Sequence, residues 1–63
     1  MGEKLIMYYK YINDKAGFTG KMKLATATKI PSTKASMEPD SEENIENFKK
    51  AIKEIIGSDA PDF

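Results

Sequence analysis

The sequence has no cysteine, no histidine and no tryptophan, and all ten of its basic residues are lysine. Without cysteine, disulfides and thiol nucleophiles are excluded. Without cysteine and histidine together, a typical zinc or haem site is not expected, and the commonest general base is missing. Without arginine, the usual reader of guanine edges and the best bidentate phosphate clamp are missing. Long apolar runs are absent too. The longest is LIMYY, residues 5–9, far short of the ~20 residues a membrane-spanning helix needs. The opening MGEKLI lacks a signal peptide's apolar stretch and cleavage site. The expectation is a cytoplasmic protein with no cofactor, no metal and no membrane partner.

What remains is 63 residues with a net charge of zero. Chains of this size fold as one small domain with a marginal core. The zero is a balance of opposites. Residues 1–37 hold seven Lys against Glu3 and Asp14, a net of +5, and residues 38–63 hold three Lys against eight acids, a net of −5. Such a split suggests a polarised surface.

The stretch KLIMYYKYI, residues 4–12, reads as a β-strand whose two faces are both apolar. Leu5, Met7, Tyr9 and Tyr11 take one side, and Ile6, Tyr8 and Ile12 the other. A strand with one buried face should alternate apolar with polar, so the second face calls for a cover. The following NDKAG, residues 13–17, carries turn chemistry. FTGKMKLATATKI, residues 18–30, then places Phe18, Met22, Leu24 and Ile30 on even positions and Lys21, Lys23 and Lys29 on odd ones. These features predict a long antiparallel β-hairpin over 4–30. Pairing Ile12 with Phe18 gathers Ile6, Tyr8, Ile12, Phe18, Met22, Leu24 and Ile30 on one face.

The loop 31–39 is bracketed by prolines, with room for a short third edge strand near 35–37. A helix over 40–57 follows. Ile45, Phe48, Ile52, Ile55 and Ile56 form an apolar stripe at helical period. Asp40 with Glu43 fits a capping box, and Ser41 is the other candidate cap. Early glutamates and late lysines complement the helix dipole, and Gly57 suits the C-terminal cap. Residues 58–63 read as a loose tail, although Phe63 has the means to fold back and the terminal PDF to dock on a partner. The expected fold class is α+β in ββα order, one hairpin packed on one amphipathic helix.

No residue pattern supports catalysis. GFTGKMK lacks phosphate-loop spacing, because two residues, rather than four, separate its glycines and Met22 follows Lys21. The expected function is that of a small non-enzymatic binding or regulatory protein. It would self-associate as a homodimer, or dock a protein, through Leu5, Met7, Tyr9, Tyr11, Ala25 and Ala27. Tyr and Met are favoured at the centre of such interfaces. The alternative is sequence-nonspecific nucleic-acid binding, with Tyr9 and Tyr11 stacking bases and Lys21, Lys23 and Lys29 meeting phosphates.

Overall fold

A computed structural model describes residues 2–63. Among the described residues there is no strand. Three helices follow in order: α1 (Glu3–Thr28), α2 (Ser32–Ala35) and α3 (Glu42–Ile56). The α+β class, the hairpin over 4–30 and the edge strand near 35–37 are therefore corrected to an all-helical fold. The physical reason lies in the stretch that looked two-faced. At helical spacing Leu5, Tyr8, Tyr9 and Ile12 stand at i, i+3, i+4 and i+7, one stripe on one face. All four are buried. The apparent second apolar face came from counting in twos a pattern whose period is 3.6. Six lysines and three alanines in residues 4–30 also suit a helix.

The 26 residues of α1 would span about 39 Å as one straight helix. The longest dimension of the molecule is 26 Å. The helix is broken at Gly17, whose φ of 68° and ψ of −160° lie outside helical geometry. That region of backbone space is essentially open to glycine alone. A Cβ at this position would meet nothing within 4 Å, so the need for glycine is one of conformation and not of room.

The break divides α1 into a first arm, 3–16, and a second arm, 18–28, which returns along the first. Near the bend the arms touch closely, since a Cβ at Gly20 would lie 2.5 Å from the Ala16 Cβ and 3.3 Å from Ile12 Cγ1. At the far end the Tyr9 hydroxyl donates to the Ile30 carbonyl.

The core is Leu5, Tyr8, Tyr9 and Ile12 from the first arm, Leu24 from the second, Ala35 from α2, and Phe48, Ala51 and Ile52 from α3. Phe48 sits at its centre, its ring 5.6 Å from Tyr9 in an edge-to-face pair and 6.2 Å from Tyr8. Of the seven residues expected on the packed hairpin face, Tyr8, Ile12 and Leu24 enter this core. Phe18 and Met22 face solvent instead.

The C-terminal helix lies inside its expected span. Phe48 and Ile52 are buried, and Ile45, Ile55 and Ile56 pack partly buried against the core. Ser41 is its N-cap, with Oγ accepting from the Asn44 amide at 3.1 Å. Gly57 closes it with a φ of 76° and an N–H to the Lys53 carbonyl. Asp40 serves a different helix. Its carboxylate accepts from the Lys4 amide at 3.1 Å and the Leu5 amide at 3.4 Å, so it caps α1 from across the chain. Two of the amides that a helix start leaves without partners are satisfied in this way.

Candidate functional site

The six residues expected to form one interface do not share a surface. Positions two apart on a helix are separated by about 200° around its axis. Leu5 and Tyr9 are core residues, Met7 is exposed, Tyr11 and Ala25 are half-buried, and Ala27 is exposed. The set proposed for nucleic acid is dispersed likewise. Tyr9 is held in the core with its hydroxyl bonded, and Tyr11 packs toward Phe63 at 6.4 Å between ring centres. Lys23 and Lys29 remain exposed, while Lys21 is half-buried.

Two surfaces take their place. The first is the outer side of the second arm. This arm buries only Gly20 and Leu24, so most of its circumference is free. Phe18 is 71% exposed, and Met22, one turn further on, is 56% exposed. Thr19, Met22, Lys23, Thr26 and Ala27 line a shallow, mainly apolar depression beside them. Their positions run i, i+3, i+4, i+7 and i+8, one helical face. The alternating pattern assigns Phe18 and Met22 to a core face. Their i, i+4 relation was the signal for a shared helical side.

The second surface lies on the first arm, where Met7, Lys10, Tyr11 and Asp14 form a groove with Phe63. Residues 58–63 are not loose here. Phe63 meets Tyr8 edge-on at 4.8 Å, the Tyr8 hydroxyl donates to the Pro61 carbonyl at 2.9 Å, and Lys49 pairs with Asp62. Lys53 reaches Asp59 at 3.3 Å.

The shifted ionisations follow this packing. Burial raises the Tyr8 hydroxyl above its ordinary value; Lys49 opposes the rise and Asp62 adds to it. Burial likewise raises Tyr9. The hydrogen bond with Asp62 raises the Lys49 ammonium, and the same bond lowers the Asp62 carboxyl. Each shift is accounted for by a core or tail contact. Among the described residues no three acidic side chains gather as a metal site would require, and no helix is long and apolar enough to cross a membrane.

No family model matches the chain, and no curated protein or solved structure does either.

Proposed function

We propose that the chain is a non-enzymatic, cytoplasmic protein-binding module whose docking face is the outer side of the second arm of α1. One observation carries this reading: Phe18 and Met22 stand largely exposed, at 71% and 56%, one turn apart on a helix that has little else to bury. Exposed apolar clusters of this kind mark interaction sites, and methionine adapts to varied partner shapes.

Charge selects the partner. Lys23 lines the depression beside Met22, and residues 15–37 carry five lysines and no acid, so this part of the chain is positively charged. It suits an acid-flanked apolar helix of another protein, held as a helix against a groove. A two-fold pairing of this face with itself would bring Lys21 and Lys23 toward their own copies, which like-charge repulsion opposes. Tyr9, one of the two rings expected to stack bases, is enclosed in the core, which favours the protein-binding reading.

Selection from a random peptide display library tests the reading. The parent should enrich apolar sequences flanked by Asp and Glu, and Phe18→Asp/Met22→Asp should lose them. A parent that enriches nothing, or a double variant that retains the same sequences, would overturn it. Salt-sensitive binding of the parent to single-stranded DNA or RNA, abolished by Lys21→Glu/Lys23→Glu, would replace it with the nucleic-acid reading.

A further inference from the structure

The C-terminal residues occupy a groove whose chemistry they also define. From Gly57, with its φ of 76°, the chain turns back over the first arm and α3. Among the described residues, no hydrogen bond between backbone groups ties 58–63 to the rest beyond the Gly57 cap. The hold is by side chains. The Tyr8 hydroxyl takes the Pro61 carbonyl, Lys49 takes the next residue's carboxylate, Asp62, and Tyr8 and Tyr11 take the edge of the following ring, Phe63. A carbonyl, a carboxylate and an aromatic ring in consecutive positions are thus read by three fixed groups.

This occupancy is shallow. The Asp59 and Asp62 side chains are 86% and 85% exposed, and exposed ion pairs contribute little. Phe63 itself is 37% exposed. Phe63 itself lines one end of the groove, which stays open along Met7, Lys10, Tyr11 and Asp14.

We propose that this groove is a docking site for an extended acidic–aromatic segment of a partner protein, with residues 59–63 as the intramolecular occupant it displaces. The site is separate from the second-arm face and stands or falls independently of it. A groove filled by its own tail binds an external segment more weakly, in proportion to the fraction of molecules in which it is open. Weakening the tail must therefore strengthen binding in trans, whereas a tail that only supports the fold would give no such gain.

The test adds the peptide Ser-Asp-Ala-Pro-Asp-Phe to the full chain and follows methionine methyl resonances. Met7 lies in the groove, and Met22 on the other arm is the internal control. A saturable shift is expected at Met7 and not at Met22, small in the parent, where the peptide replaces an identical occupant, and larger in Phe63→Ala, where its ring fills a place the variant leaves empty. Phe63→Ala should tighten it about tenfold, the ratio for a groove open in roughly a tenth of parent molecules. Asp62→Ala should tighten it in the same direction and disturbs no core residue, so it serves if Phe63→Ala fails to fold. Lys49→Glu should abolish the shift. No saturable shift in the parent or the tail variants, or a shift that the tail variants leave unchanged or weaken, would overturn the proposal. If the parent alone gave the Met7 shift on concentration, together with dimer formation, the occupant would be a second copy's tail and the partner-protein assignment would fall.

Discussion

The two arms of α1 are joined by a single residue, yet they do opposite work. The first arm buries Leu5, Tyr8, Tyr9 and Ile12 and supplies much of the core. The second buries Leu24 and the bare backbone of Gly20 and turns Phe18 and Met22 outward. The first arm has the apolar stripe of a helix committed to the core. The second is fastened by fewer large groups. It shows that apolar residues at regular spacing need not be core when only one side of the helix has anything to pack against.

The largest expected effect breaks the comparison at its strong side. A chain of this length has roughly 3–9 kcal/mol of stability in hand. Ile12→Ala or Phe48→Ala removes a fully buried side chain and should cost about 2–5 kcal/mol, enough to unfold much of the population. Met22→Ala, on the outer side of the second arm, should change stability by no more than about 0.5 kcal/mol. Thermal melts by circular dichroism separate the two. Equal melting points would remove the distinction between the arms.

The joint comes next. Gly17→Ala places a Cβ at a φ of 68° and ψ of −160°, with an expected cost of about 1–3 kcal/mol. D-alanine at position 17 is the sharper probe. The mirror of that conformation is ordinary extended backbone for an L-residue, so D-alanine should fit and stabilise the chain by about 0.4–1 kcal/mol through its unfolded state. Melting of the two synthetic chains checks the order. If L-alanine proved the better tolerated, the bend would not depend on Gly17.

A smaller effect concerns what anchors the first arm. Asp40→Ala should cost about 0.5–2 kcal/mol, the usual range for a lost helix cap. The loss should appear as faster hydrogen exchange at the Lys4 and Leu5 amides, while the start of α3 is spared. Ser41→Ala should do the reverse, exposing the Asn44 amide.

The smallest effect is an alkaline one. Tyr8 and Tyr9 hold their protons more tightly when folded, chiefly because they are buried. Their contribution is intact below the unfolded tyrosine value of about 10 and is lost as pH rises from there through the folded values, since the unfolded chain releases its protons first. Urea midpoints measured between pH 8 and pH 11 should fall only in the upper part of that range. Tyr9→Phe should flatten the fall.

The α3 helix was legible because three independent signals agree on it. Its apolar stripe, its charge order and its end residues all speak for one helix, and only local contacts are needed to read them. The 4–30 region gave two consistent answers. Leu5, Met7, Tyr9 and Tyr11 satisfy a period of two, and Leu5, Tyr8, Tyr9 and Ile12 satisfy a helical one, because an almost unbroken apolar run fits both. The candidate interface was drawn on the period of two, so its residues fall on different sides of the helix. The exposed pair Phe18 and Met22 was present in the sequence, but an alternating pattern of lysines directed them inward.

The sequence by itself determined a small, charge-split chain without thiol or imidazole chemistry, and one capped helix, expected over 40–57 and found over 42–56, whose packing face is written in its own periodicity. Tertiary structure alone decided the rest. It converted the ambiguous apolar run into a helical stripe by setting Phe48 against Tyr8 and Tyr9. It drew Asp40 from the start of one helix to cap another, 35 residues away along the chain. It left Phe18 and Met22 largely exposed. Periodicity records which residues can share a face. Which face is buried depends on what the chain brings against it, and that contact is made between residues far apart in sequence.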